Sequence, residues 1–175
     1  MDKKELRSQI RTLKKSLGAE TLLAKSAPLA DRLAADPHYV SSDIVMLYYP
    51  LWDEPDTRSA ITMSLNLNKR VILPTVVGDD IVPVEVTSGT QWLEGPFGIM
   101  EPQADPYHGD IDFILVPGVA FTRTLSRLGR GRGYYDRFLS LHPSAYRLGV
   151  CFDFQIVPSL PLEPHDLPMQ NLITL

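Results

Sequence analysis

The stretch "DFILVPGVAFTRTLSRLGRGRGYYDRFLSLH", Asp112 to His142, decides how this chain is read. It opens with a continuous apolar run closed by Pro117 and Gly118, passes through a segment crowded with glycine and arginine, and ends in "YYDRFLSLH", a helical pattern starting near Tyr134. A buried strand, a glycine-rich bend and a helix in succession is where an α/β sheet commonly binds phosphates. Bare backbone at Gly129, Gly131 and Gly133 lets N–H groups approach oxygens closely, the helix N-terminus adds a favourable dipole, and arginine offers paired donors. The spacing is neither the G-x-x-x-x-G-K-[ST] loop nor the G-x-G-x-x-G fingerprint, because Tyr134 stands where the last glycine of the latter belongs. On glycine spacing alone two other readings stay open: a solvated turn, and an RNA-binding tract in which arginine, glycine and tyrosine stack bases.

Outward from this stretch, apolar runs alternate with helical patterns. "DIVMLYYP" (43–50), "RVILPTVV" (70–77) and "YRLGVCF" (146–152) read as buried strands, and "IVPVEV" (81–86) as an edge strand. Leu6, Ile10, Leu13 and Leu17 recur along one helical face, so residues 3–17 form an amphipathic first helix that Gly18 stops, with Lys3, Arg7 and Lys14 on another stripe. Residues 19–35 give a second helical pattern that Pro28 kinks or divides, and Asp56 or Thr57 caps a helix through "RSAITMSLNL". Residues 87–110, including "QWLEGPFGIMEP", are rich in glycine and proline and read as a long functional loop. The proline-dense end closes in a short strand. This alternation predicts an α/β fold: a single-domain three-layer sandwich over residues 1–175, with a mainly parallel, Rossmann-like central sheet and ligands at the carboxyl ends of its strands.

Hydrophobic residues make up 44% of the chain and charged ones 22%, values of an ordinary globular protein that exclude disorder, collagen and coiled coil. The single cysteine, Cys151, lies in an apolar run and reads as core. A charged N-terminus without an apolar leader, and the lack of any run of eighteen apolar residues, predict a cytoplasmic protein with no membrane partner. A net charge of −4 argues against general nucleic-acid binding, yet the bases are uneven. Lys3, Lys4, Arg7, Arg11, Lys14 and Lys15 cluster at the start, and Arg123, Arg127, Arg130, Arg132 and Arg137 around the glycines. If folding joins the two clusters, they make one positive site for a polyanionic small molecule.

The block "VPGVAFTRTLSRLGRGRGYYDRFL", with the basic helix "KKELR", "YYPLWDEPDT" and "LEPHDLPM", resembles the 5-formyltetrahydrofolate cyclo-ligase family, also called 5,10-methenyltetrahydrofolate synthetase. The resemblance runs from the first helix to the last strand. It implies an enzyme that uses ATP and Mg2+ to cyclise 5-formyltetrahydrofolate to 5,10-methenyltetrahydrofolate, releasing ADP and phosphate, without an enzyme nucleophile. It implies ATP contacts from Lys3 and Arg7 and from the run Arg127, Leu128, Gly129, Arg130, Gly131, Arg132, Gly133, Tyr134 and Tyr135. Of these, Arg130, Arg132 and Tyr134 would act at the transfer itself. Folate contacts would come from Tyr49, Glu54 and Phe97 and from the border formed by Arg130 to Tyr134, and magnesium from Asp136 and Asp166. An N-cap role for Asp136 is the rival reading. The position of Arg132 often carries lysine or glycine in the family, and Gln170 and Asn171 stand where an acid is common, so no third carboxylate is expected. His165 reads as structural or as a support for the metal site, and a monomer is the expectation. Related α/β folds also carry sugar-phosphate isomerases and CoA-transferases, which need a catalytic carboxylate but not the set Lys3, Arg7 and Asp136.

Overall fold

The computed structural model describes all residues except Met1, 96–98 and His165. Its strands in chain order are β1 (Ile44–Met46), β2 (Arg70–Val77), β3 (Asp80–Val86), β4 (Gln91–Glu94), β5 (Met100–Gln103), β6 (Phe113–Pro117), β7 (Ala120–Thr122), β8 (Arg127–Leu128), β9 (Tyr146–Cys151), β10 (Ile156–Val157) and β11 (Asn171–Thr174). The helices are α1 (Lys3–Leu17), α2 (Ala19–Lys25), α3 (Leu29–Ala34), α4 (Pro37–Ser41), α5 (Arg58–Asn66) and α6 (Tyr134–Leu141). The central sheet runs β11-β9-β6-β1-β2-β3, parallel throughout except for β3, which returns antiparallel at the edge. This is the mainly parallel sheet that the alternation predicts.

Side chains alternate across that sheet. Val45 and Leu47, Val71 and Leu73, and Phe113 and Leu115 join Leu29, Leu33, Tyr39, Ala60 and Ile61 of α3, α4 and α5 in one core. Met46, Ile72, Ile114 and Val116 point the other way, into a second core closed by Phe138 and Leu139 of α6. Two cores back to back are why β6 is buried along its whole length and reads as an unbroken apolar run. Burial pushes the Cys151 thiol up to about 12, as suits a core residue. A third, smaller cluster seats Leu6 and Ile10 of α1 on Ala120 and Leu128. Leu13, expected on the same face, is 38% exposed, whereas Lys14 is buried. Among the described residues no helix is long and apolar enough to cross a membrane.

The apolar run from Phe113 ends at Pro117–Gly118 as read, and the chain just beyond it, β7, joins a separate small sheet, β10-β7-β8. A Cβ at Gly118 would stand 2.7 Å from the Phe121 ring, so the chain turns there only because that position is bare. The expected long loop over 87–110 contains the antiparallel ladder β4–β5. Its strands are four residues each, half exposed and interrupted by Pro102, so they carry almost no period-two signal. Pro28 divides α2 from α3 as read. Thr57 is the N-cap of α5, but its hydroxyl donates to the Tyr48 carbonyl, and the carboxylate of Asp56 accepts the Arg58 N–H.

Candidate active site

The five parallel strands lie in the order β2-β1-β6-β9-β11, so connections leave β1 and β6 in opposite directions and open a crevice beyond their carboxyl ends. That crevice is a cavity of about 950 Å³. Pro117 and Gly118 form part of its floor, α1 contributes Lys3, Lys4 and Arg7, and every residue from Arg127 to Asp136 reaches its wall. Glu54, Glu163 and Asp166 line it as well. The two basic clusters of the sequence therefore meet, with Arg7 Nε donating to the Gly129 carbonyl at 2.9 Å.

The glycine-rich loop owes its path to its glycines and its anchorage to its arginines. Gly131 (φ 105°) and Gly133 (φ 67°) occupy backbone regions that side chains resist, and a Cβ at Gly131 would lie 3.3 Å from Arg7 Cζ. Gly133 is the N-cap of α6 and no side chain caps the helix, so the N–H groups of its first turn face the cavity without a side-chain acceptor. Arg130 Nη2 donates to Asp53 Oδ1 at 2.7 Å and to Glu54 Oε1 at 3.1 Å. Arg137 Nη1 donates to the Arg132 carbonyl at 2.9 Å. Tyr135 is half-buried, and desolvation of its phenol, with Glu54 nearby, pushes it well above the ordinary value.

Arg127 differs from its neighbours. It is 7% exposed, with Nη2 donating to Asp136 Oδ1 at 2.9 Å and Nη1 to the Pro117 carbonyl at 3.3 Å. Its Nε is buried and has no hydrogen-bond partner among the described residues. Asp136 sits in the first turn of α6 as a partner of Arg127, and the N-cap reading for it is overturned by Gly133 holding that position. In the same cavity, Lys3 Nζ meets Asp166 Oδ2 at 2.9 Å and Glu163 Oε2 at 3.2 Å. Burial works against the Lys3 ammonium, but those two carboxylates outweigh it and hold its pKa above the ordinary value. No cluster of three metal-ligating side chains occurs among the described residues.

Tyr49 faces elsewhere. It lines a second cavity, of about 380 Å³, with Arg58, Val86, Trp92 and Met100, and its ring lies 5.0 Å from that of Trp92. The structure thus brings Lys3, Arg7, Glu54, Asp166 and the run 127–136 into one cavity and puts Tyr49 in another. Phe97 and His165 fall outside the described residues. Trp92 escaped the sequence reading although it stands in the quoted segment "QWLEGPFGIMEP"; an aromatic among glycines and prolines was the available signal. Lys14 and Asp53, which anchor Arg130 from behind, carried no signal beyond the cationic stripe of α1.

Comparison with known proteins gives concordant results. The 5-formyltetrahydrofolate cyclo-ligase family model matches residues 1–175. A Mycolicibacterium smegmatis protein named 5-formyltetrahydrofolate cyclo-ligase is 33% identical over 147 residues, 77% of this chain and 75% of that one. A Schizosaccharomyces pombe protein named as a probable 5-formyltetrahydrofolate cyclo-ligase is 27% identical across 99% of this chain and 95% of its own. The NMR structure of Aquifex aeolicus 5,10-methenyltetrahydrofolate synthetase superposes with a TM-score of 0.84 at 36% identity, covering 99% of this chain and 90% of the other.

Proposed function

This chain belongs to the 5-formyltetrahydrofolate cyclo-ligase family, an enzyme family of folate one-carbon metabolism, and from that premise we propose that it closes 5-formyltetrahydrofolate to 5,10-methenyltetrahydrofolate at the expense of ATP in the cavity between α1 and the glycine-rich loop. One observation carries this reading: cations of α1 and of the segment 127–137 converge, through the Arg7–Gly129 contact, on a glycine-rich loop that lines the same space. A cavity of about 950 Å³ suits a nucleotide together with the reacting end of a folate. The orphaned Arg127 Nε and the open first turn of α6 are unmet donors, as a phosphate-binding wall requires.

The phosphates of ATP rest on Gly129, Gly131 and Gly133 and the start of α6, with Lys3 and Arg7 reaching across from α1 and Leu128 and Tyr135 supporting the loop from below. The formyl oxygen of the folate attacks the γ-phosphorus and ADP leaves; N10 then attacks the activated formyl carbon, and phosphate departs as the ring closes. Arg130, Arg132 and Tyr134 border the point of transfer and offset the charge developing there. The chain needs no nucleophile of its own, because the work is positioning and charge neutralisation. Glu54 accepts pterin donors at the junction of the two cavities while Tyr49 covers the ring from the aromatic side. Phe97 keeps its proposed folate contact.

Two carboxylates in the phosphate-lined cavity suit magnesium, which prefers oxygen donors and takes only one or two carboxylates beside phosphate and water. Asp136 and Asp166 would hold it, and bound there it would neutralise the phosphate oxygens. The test is direct. Purified protein with 5-formyltetrahydrofolate, ATP and magnesium should yield the near-ultraviolet absorbance of the methenyl product, lost when magnesium is chelated. No product under conditions where ATP binds rejects the folate assignment; no ATP binding at all rejects the phosphate site.

A further inference from the structure

Lys14 is a buried ammonium that the function above does not use. It is 2% exposed, in the fourth turn of α1 and two turns beyond Arg7. Its Nζ donates to the Asp53 carbonyl and lies 3.8 Å from Asp53 Oδ2. The other carboxylate oxygen of Asp53 receives Arg130 Nη2 at 2.7 Å, and Glu54 receives the same guanidinium. Four side chains from three separate segments therefore alternate in charge: Lys14, Asp53, Arg130, Glu54. The set is neutral with Lys14 and carries one uncompensated negative charge without it, in a place where Asp53 is itself buried.

Lys14 does not line the larger cavity. It opens on a small one of about 60 Å³, lined also by Arg7, Arg11, Asp53, Val119 and Arg130. Its hydrogen bond and its ion pair both go to Asp53. Arg130, for its part, depends on that anchor: the glycines on either side offer no side chain to hold it, and its own side chain is about half exposed, with Asp53 and Glu54 as its hydrogen-bond partners. Burial drags the Lys14 ammonium below its ordinary pKa against the pull of Asp53.

We propose that Lys14 is a positioning residue: by holding Asp53 from behind, it fixes the Arg130 guanidinium and with it the glycine-rich loop in the phosphate-binding conformation. This rests on ATP occupying that loop, so the parent protein is titrated first with magnesium–ATP. Lys14→Met keeps the unbranched stem and removes the charge; Asp53→Asn keeps the carbonyl that Lys14 uses and removes the carboxylate charge that lies between Lys14 and Arg130. Each should weaken magnesium–ATP binding about tenfold, and the double variant no more than the worse single, because the two act in series. Parental affinity in a folded Lys14→Met, or losses that multiply in the double variant, overturns the inference while leaving the function intact. If Lys14→Met does not fold, Asp53→Asn decides alone: a parental melting temperature with tenfold weaker ATP binding supports the proposal, and parental ATP affinity refutes it. A parent protein that fails to bind ATP refutes the function, and this inference with it.

Discussion

The loop between β1 and α5 supplies a residue to each of two cavities built of opposite chemistry. Glu54 enters the larger one, walled by cations of α1, the glycine-rich loop and the open end of α6; Tyr49 enters the smaller one, walled by Trp92, Met100 and Val86. The first site sets its cations among Pro117, Leu128, Pro161 and Leu162, and its loop has little freedom, since Arg7, Arg130 and Arg137 tie it to other segments. The second has one guanidinium, Arg58, itself paired with Asp56. A triphosphate needs the first kind of surface and a flat aromatic ring the second. The difference teaches how one short loop can register two unlike substrates against each other: residues five apart face different chemistries.

The contrast can be broken most forcefully at the junction. Arg130→Ala should lower turnover by on the order of 100-fold, the usual cost of losing one transition-state donor. The melting temperature should move by only a few degrees, because that side chain is about half exposed. Loss of the whole thermal transition would instead make Arg130 a structural residue. Asp136→Ala is a poorer probe, since it strands the buried Arg127 guanidinium at a cost of about 3–5 kcal/mol in stability. Next in size, Arg7→Ala should raise the ATP KM roughly 10- to 100-fold, as expected for a charged hydrogen-bonding group, and leave the folate KM unchanged. Tyr49→Ala should do the reverse and less strongly, raising the folate KM roughly 3- to 10-fold with ATP untouched, in line with one lost aromatic contact. Steady-state kinetics with each substrate varied would expose any crossover, and a crossover would dissolve the division of labour.

The smallest effect is on acid stability. Burial opposes ionisation of Asp56, but its hydrogen bonds from Arg58 prevail and hold its pKa below the usual 3.8. A carboxyl lowered on folding stabilises the protein above its unfolded pKa and loses that contribution as pH falls through the folded value. Asp56→Asn should therefore flatten the decline in melting temperature below about pH 4 by no more than about 1 kcal/mol, since Arg58 is more than half exposed. Glu85 and Asp153, lowered by Arg70 and Lys25, would keep part of the slope in place.

The sequence made the layers legible because burial on both faces leaves a crude mark: β2, β6 and β9 are apolar runs between turn residues. It also made the glycine-rich loop legible as a candidate anion site, since glycines and arginines crowd together there between a strand and a helix. What stayed hidden depends on pairing across distance. The ladder β4–β5 turns only Trp92 and Pro102 inward, too few residues to impose a period that can be read. Lys14 shares the stripe of Lys3 and Arg7 in any helical projection, and only the packing of α1 against Asp53 decides that it is buried. Arg127 looked like its neighbours, yet the break at Pro117–Gly118 and the β7–β8 hairpin turn it inward onto Asp136.

The central claim is that the triphosphate lies between α1 and the glycine-rich loop, apart from the aromatic cavity. Backbone amide NMR on the full chain, titrated with magnesium and a non-hydrolysable ATP analogue, tests it most directly. The account predicts that the largest shifts fall on Gly129, Gly131, Gly133 and the first turn of α6, with α1 following at Lys3 and Arg7. Largest shifts at Tyr49, Thr62 and Trp92, with the glycines unmoved, would contradict it.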